Sequence, residues 1–268
     1  MVAGAMYKKD PSSFFKTLST ARNRVLLVDY DGTAAPFSAD RSRARPYPAV
    51  TPLLHQIHTA CATRLIVVSG RSAREIPRSL GIHPTPEIWG SHGVERLYSN
   101  GSYEERNVAD EALQALAEAE LRLDEASLGP HIEVKLAAIA VHWRGLDAPA
   151  VLKIRRRAYR VLEPMTLKGE LTLAEFDEGV ELRLRSANKS TTLLALLQEL
   201  AAEIPVAYLG DDVDDEDAFG VLNGRGLTAL IKATTRFTAA QITLRPPDEL
   251  IGFLEEWIRF CAMKRERV

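Results

Sequence analysis

Cysteine is almost missing from this sequence. Cys61 and Cys261 are the only two, too few for a disulfide framework and without the paired spacing of a zinc site. Both read as buried thiols. Long apolar runs are missing too, for no stretch approaches the roughly 18 residues that cross a bilayer. The start, Met1 to Asp10, carries Lys8 and Lys9 but lacks the apolar stretch of an export signal. Nor is there an excess of either charge: Lys and Arg (34) nearly cancel Asp and Glu (36), leaving a net charge of -2. That balance gives no global pull toward nucleic acid or an anionic membrane, so any charge that matters is local. These absences set the expectation of a monomer of the reducing cytoplasm with neither membrane nor nucleic acid as partner.

What remains is the composition of a globular chain, 46% hydrophobic and 26% charged, long enough at 268 residues for one large or two modest domains. Val25-Leu26-Leu27-Val28 ends at Asp29, Leu65-Ile66-Val67-Val68 runs into Ser69-Gly70-Arg71, and Val206-Ala207-Tyr208-Leu209 runs into Gly210-Asp211-Asp212. Each reads as a buried parallel strand opening into a polar loop. Stretches with helical apolar spacing separate them, at Ala49 to Ala60, Ser72 to Leu80 and Thr191 to Glu203. This grammar predicts an α/β fold built on a doubly wound, Rossmann-like parallel sheet, where ligands gather at the carboxyl ends of the strands.

Between about Leu97 and Arg185 the texture changes. Asn107 to Ala126 reads as an amphipathic helix, and Ile132-Val134-Leu136 then alternates with His131-Glu133-Lys135. Leu171-Thr172-Leu173 is joined through Asp177-Glu178-Gly179 to Val180-Glu181-Leu182-Arg183, a hairpin signal. An inserted α+β domain is expected over 98–185, flanked by a core of 1–97 and 186–268 that closes with a helix from Leu250 to Phe260.

Asp29-Tyr30-Asp31-Gly32-Thr33 is the most informative stretch, a string expected by chance about once in 100,000 positions. Two carboxylates two residues apart on one loop can divide the work of phosphoryl transfer. One attacks phosphorus; the other protonates the leaving oxygen and later deprotonates water. A carboxylate is repelled by a phosphate dianion unless a cation intervenes, and the acidic run Asp211-Asp212-Val213-Asp214-Asp215-Glu216-Asp217 supplies hard oxygen ligands suited to magnesium. Taken alone, such a run reads as a solvated loop. Ser69 and Lys189 are the candidate donors to the phosphoryl oxygens. A helix N-cap is the simpler reading of Ser69, but a Lys at the head of a helix runs against the dipole and points to an anion there.

In order and context, Asp29-x-Asp31, Ser69, Lys189 and Asp211 with Asp215 resemble the four motifs of the haloacid dehalogenase (HAD) superfamily. Finer strings resemble the trehalose-6-phosphate phosphatases: Asp29 to Thr33, Val68-Ser69-Gly70-Arg71, Gly90-Ser91-His92-Gly93-Val94-Glu95 and Gly210-Asp211-Asp212. Glu133-x-Lys135, His142-Trp143-Arg144, and Glu181-Leu182-Arg183 followed by Asn188-Lys189 match that family's cap pattern. The resemblance implies that Asp29 is the nucleophile and that Asp31 is the acid and base, also lending its backbone carbonyl to Mg2+. Asp211 would ligate the metal, with Asp212 or Asp215 supporting it through water, and a C2-type cap would close over the sugar. Gly70, Arg71, His92, Glu133, Lys135, His142, Arg144, Glu181 and Arg183 become the candidate substrate contacts. Without the resemblance, the cap charges read as exposed sheet faces and the basic run Lys153 to Arg157 as a solvated helix face.

Several positions depart from the family pattern. Ala34-Ala35-Pro36-Phe37 stands where Leu-x-Pro-Ile is usual, Trp143 replaces Tyr, Leu184 replaces Pro and Ser190 replaces Gly. No catalytic group is lost, yet these positions lie near those that shape the sugar pocket. The expected activity is hydrolysis of trehalose 6-phosphate. A sucrose, glucosylglycerol or mannosylglycerate phosphate is the alternative substrate, and a non-catalytic sugar-phosphate sensor is the rival from another class.

Overall fold

The computed structural model describes residues 10–38, 43–167, 170–176, 178–234 and 236–262. Lys8 and Lys9 at the start, and Asp177 of the expected hairpin, lie outside the described residues. The elements run α1 (Ser12–Thr20), β1 (Arg24–Asp29), α2 (Val50–Ala60), β2 (Thr63–Val68), α3 (Ile76–Leu80), β3 (Glu87–Gly90), β4 (Glu95–Leu97) and β5 (Tyr103–Glu105). They continue with α4 (Asp110–Glu125), β6 (Ile132–Lys135), β7 (Ala138–His142), α5 (Ala148–Leu162), β8 (Leu171–Phe176) and β9 (Gly179–Leu184). The chain closes with α6 (Lys189–Glu199), β10 (Val206–Gly210), α7 (Glu216–Leu222), β11 (Leu227–Ile231), β12 (Ile242–Leu244) and α8 (Asp248–Ala262).

Every residue of β1 is buried, because helices cover both faces of its sheet. The strand's alternation sorts its side chains between two cores. Leu26 and Val28 join Leu54 and Ile57 of α2 and Leu254 and Trp257 of α8, whereas Val25 and Leu27 join Leu193 and Leu196 of α6 and Phe219 of α7. Each such aliphatic side chain contributes about 1.5–3 kcal/mol of burial. The strand order is β12-β11-β10-β1-β2-β3-β4-β5, parallel from β12 to β3 and antiparallel thereafter. With β2 on one side of β1 and β10 on the other, the order reverses at β1, and a crevice opens there beyond the carboxyl ends.

The second sheet is antiparallel, in the order β6-β7-β9-β8. Its register makes the two faces chemically opposite. Ile139, Val141, Val180, Leu182 and Leu171 pack with α4 and α5. By alternation the other face carries Lys135, Ala138, Arg183 and Thr172 in one row, then Glu133, Ala140, Glu181 and Ala174, then His142, Gly179 and Phe176. The charged side chains therefore rise from a floor of small residues.

Local boundaries differ from expectation where short-range chemistry intervenes. The helix expected from Ser72 begins only at Ile76, because the Glu95 carboxylate accepts from Ser72 Oγ and the Ala73 N–H and holds the preceding turn. The helix expected from Thr191 to Glu203 runs from Lys189, capped by the Asn188 side chain on the Thr191 N–H, to Glu199. β5 falls inside the stretch assigned to the insertion but pairs with β4 at the edge of the large sheet. The turn before it closes with the Tyr98 N–H on the Ser102 carbonyl and Gly101 at a φ of 86°.

Candidate active site

The site begins where β1 ends. Asp29 is followed by a tight loop in which the Ala34 N–H returns to the Asp29 carbonyl at 3.1 Å and the Gly32 N–H to that of Ala35 at 2.8 Å. Gly32 has a φ of 91°, and a Cβ there would run into the Asp211 carboxylate, so only glycine permits both the turn and the approach of the acidic loop. Thr33 Oγ1 donates to Asp211 Oδ1 at 3.2 Å.

Lys189, at the first turn of α6 and 5% exposed, reaches into the crevice. Its Nζ donates to Asp29 Oδ1 at 2.7 Å and to Asp215 Oδ1 at 2.6 Å. Burial, reinforced by the Asp215 and Asp211 charges, pushes the Asp29 carboxyl well above its ordinary value against the pull of Lys189. Burial and Asp215 likewise push Asp211 up to about 7. Three carboxylates meet the Lys189 ammonium, with Lys232 Nζ lying 3.8 Å from Asp211 Oδ2, so negative charge still exceeds positive, and Asp29 Oδ2 is buried without a hydrogen-bond partner. Ligand oxygens of Asp29, Asp211 and Asp215 lie within 4.8 Å of one another, which fits a hard divalent cation. Asp215 is already saturated: its Oδ1 accepts from Lys189 and Tyr208 OH, its Oδ2 from the N–H groups of Asp211 and Asp212. That leaves Asp29 and Asp211 as the carboxylates that could hold an ion. The Asp31 and Asp212 side chains are engaged elsewhere, Asp31 with Arg71 and Asp212 on the Val213 N–H.

After β2, Ser69 is 2% exposed and its Oγ accepts from the Arg71 N–H at 3.1 Å. Arg71 grips Asp31 with two bonds, Nε to Oδ2 at 2.6 Å and Nη2 to Oδ1 at 2.5 Å. Gly70 lets the His92 ring lie against it, since a Cβ at Gly70 would meet His92 Nε2 at 2.7 Å. Ser91 and His92 both have positive φ, at 46° and 55°, a costly conformation that persists where surrounding contacts enforce it. Glu95 supplies that enforcement, accepting from Ser91 Oγ, Ser72 Oγ, Tyr103 OH and the Ala73 N–H.

The polar face of the second sheet closes over this crevice. His92 Nε2 lies 3.0 Å from Glu181 Oε1, and Arg183 Nη2 donates to Asp214 Oδ1 at 2.6 Å. Lys135 Nζ reaches Glu181 Oε2 at 2.5 Å. Burial alone would raise the Glu181 carboxyl, but Lys135 and His92 hold it well below the ordinary range. Arg144 bonds the Ser38 carbonyl at 2.8 Å and stacks on the Phe37 ring at 4.3 Å. The cavity so enclosed measures about 80 Å³. Sites that engulf a drug-sized ligand measure roughly 300–1,000 Å³, several times this volume.

Of the sequence-predicted residues, Asp29, Asp31, Ser69, Gly70, His92, Lys135, Arg144, Glu181, Arg183, Lys189, Asp211 and Asp212 line this cavity. Asp215 and Arg71 stand behind its wall as partners of Lys189 and Asp31. Glu133 and His142 pair with each other at 2.6 Å and are not among the lining residues. Missed from the sequence were Asp214, one acid among several in its run, Tyr208, hidden in an apolar strand, and Phe176, beside the expected hairpin turn.

Residues 27–246 match the family model described as trehalose-phosphatase. The trehalose-phosphate phosphatase of Mycobacterium leprae is 29% identical over 268 residues, covering 90% of this chain and 58% of that protein, so the chain spans about three fifths of its relative. The C-terminal domain of Candida albicans trehalose-6-phosphate phosphatase shares the fold with a TM-score of 0.80 at 18% identity, covering 96% of this chain and 99% of that one. The Aspergillus fumigatus trehalose-6-phosphate phosphatase does so with a TM-score of 0.68 at 24% identity, covering 94% and 98%. Motif order, a family match across most of both sheets and the shared fold place this chain in the trehalose-phosphatase family.

Proposed function

We propose that the chain hydrolyses trehalose 6-phosphate to trehalose and phosphate. The observation that carries this reading is the convergence on one buried carboxylate: Lys189, 160 residues away in sequence, and the acidic loop after β10 both meet Asp29. Asp29 attacks phosphorus, the ester P–O bond breaks, and Asp31 gives its proton to the departing sugar oxygen. An acyl phosphate then remains on Asp29. Asp31, now a carboxylate, takes a proton from water, whose oxygen bonds to phosphorus and frees Asp29 and inorganic phosphate. Ser69 and Lys189 donate to the phosphoryl oxygens. Arg71 holds Asp31 until the anionic substrate draws the guanidinium away. Asp29, Asp211 and the Asp31 carbonyl would hold magnesium, with Asp212 and Asp215 behind them. Bound there, the ion supplies the positive charge that lets a carboxylate approach a phosphate dianion.

The core takes in 1–97 and 186–268 together with β5, and the rest of 98–185 is the cap. Its Glu133, Lys135, His142, Arg144, Glu181 and Arg183 face the sugar when the sheets part, Glu133 and His142 from beside the closed cavity. Among the described residues no helix is long and apolar enough to cross a membrane. Phosphate release measured across a panel of sugar phosphates tests the reading, with trehalose 6-phosphate expected to lead. If it is inert while a sucrose, glucosylglycerol or mannosylglycerate phosphate turns over, the substrate is wrong and the mechanism stands. Asp29→Asn is expected to abolish release while leaving the fold intact by circular dichroism; normal rates in that variant exclude Asp29 as nucleophile.

A further inference from the structure

We propose that Phe37 and Phe176 form an aromatic subsite that stacks on the sugar ring remote from the phosphate, and so set selectivity for a diglycosyl leaving group. This rests on the phosphatase reading above and names the part of the substrate that the reading leaves unassigned.

Most of the residues that line the cavity are of charged type. Among the described residues, and apart from Gly70 and Ala174, its apolar members are two phenyl rings, one from each sheet's domain: Phe37 on the loop after β1 and Phe176 at the end of β8. Neither belongs to a buried core cluster. Phe37 is 47% exposed although large and apolar. One of its faces carries the Arg144 guanidinium at 4.3 Å, which fixes the ring. Phe176 is fixed by a different device. It sits opposite Gly179 in the β8–β9 register, and a Cβ at Gly179 would collide with the Cζ end of its ring, so the ring tip fills the space that the glycine leaves. It then meets the His142 ring edge-on at 5.2 Å, His142 being the neighbour of Gly179 on β7. Two rings held this way lose little freedom when a ligand arrives.

A pyranose has an apolar C–H face and a rim of hydroxyls. Aromatic faces suit the first, and the charged groups of Lys135, Glu181 and Arg183 suit the second. The phosphate end of the cavity is occupied by Asp29, Ser69 and Lys189. A sugar that carries the phosphate is therefore held by its own ester, and the rings are left for a second sugar. Phe37 is also where the family pattern has an aliphatic residue, so this chain presents a flat π surface in place of a branched one.

The experiment measures kcat and KM for trehalose 6-phosphate and glucose 6-phosphate with wild type, Phe37→Ala, Phe176→Ala and Phe37→Trp. The ratio of kcat/KM for the disaccharide to that for the monosaccharide is expected to fall about three- to ten-fold for each alanine variant, through KM for the disaccharide. Phe37→Trp is expected to keep the wild-type ratio. If Phe176→Ala does not fold, Phe176→Leu, which keeps the volume and loses the flat face, replaces it with the same expectation. An unmoved ratio in wild-type-like folded variants overturns the subsite. So does an equal loss on both substrates carried by kcat, because Phe37 would then act only by anchoring Arg144. A wild type active on trehalose 6-phosphate with either result refutes this inference alone; a wild type that releases phosphate from no sugar phosphate refutes the phosphatase reading and this inference with it.

Discussion

Lys189→Met tests the electrostatic design of the site most directly, because methionine keeps the length and apolar stem of the side chain and removes only the ammonium. Lys189, Asp29 and Asp215 are 5%, 4% and 0% exposed, and the two ion pairs measure 2.7 and 2.6 Å. Removing one partner of a buried pair costs about 3–5 kcal/mol, since a charge is left without compensation. Two carboxylates lose a partner here, but Asp215 keeps Tyr208 OH and two backbone N–H groups. Asp29 bears most of the loss, so the total stays near one such penalty rather than two. At roughly 2–4 °C per kcal/mol for a chain of this size, the melting temperature should fall by about 6–20 °C. The assay is thermal unfolding at pH 7 with chelator present, using Lys153→Met on the exposed face of α5 as control, for which a change within about 0.5 kcal/mol is expected. A divalent cation in hundred-fold excess over its dissociation constant should stabilise the wild type by about 2.7 kcal/mol. A Lys189→Met protein that melts within a degree or two of wild type would refute the claim that this ammonium compensates the buried acids.

Gly32→Ala forces a positive φ on alanine and pushes its Cβ against Asp211, so a loss of about 2 kcal/mol or more is expected from urea midpoints. Glu95→Gln turns an amide N–H₂ toward a set of donors that a carboxylate accepts, and a loss of roughly 1–3 kcal/mol is expected. Amide exchange should show the loosening at Ser69 to Arg71 and Ser91 to His92; uniform loosening over the whole chain contradicts a local role. The Arg96 side chain, and then Arg64, hold the Glu199 carboxyl below its ordinary value. A depressed carboxyl stabilises fully above its unfolded pKa of about 4.3, and the contribution is lost as pH falls through the folded value. The stability gap between wild type and Glu199→Gln should therefore shrink between pH 7 and pH 3; a gap independent of pH argues against the pairing.

Much of the framework was legible because it is local. β1, β2 and β10 are continuous apolar runs ended by polar loops, and such runs read as buried strands wherever they stand. β5 escaped because Tyr103-Glu104-Glu105 is three residues long, two of them charged, and no periodicity can be seen in so few. The start of α3 escaped because Glu95, twenty-two residues further along than Ala73, decides it. Within the acidic run the residue types were plain and their division of labour was not. The single turn over Val213–Asp215 buries Asp215 beneath Lys189 and turns Asp214 toward Arg183 of the second sheet.

The sequence by itself determined the chemistry available: a carboxylate pair on a glycine loop, a hydroxyl, an ammonium, an acidic run and a charged antiparallel sheet. Only the tertiary structure decided which of these meet. Lys189 finds Asp29 across 160 positions, Arg183 finds Asp214, and the two cysteines settle in one core. The reason is physical. A hydrogen bond holds only over a few tenths of an ångström and a limited angle, and between distant segments that tolerance is set by strand register, helix position and sheet closure rather than by any local preference of the chain.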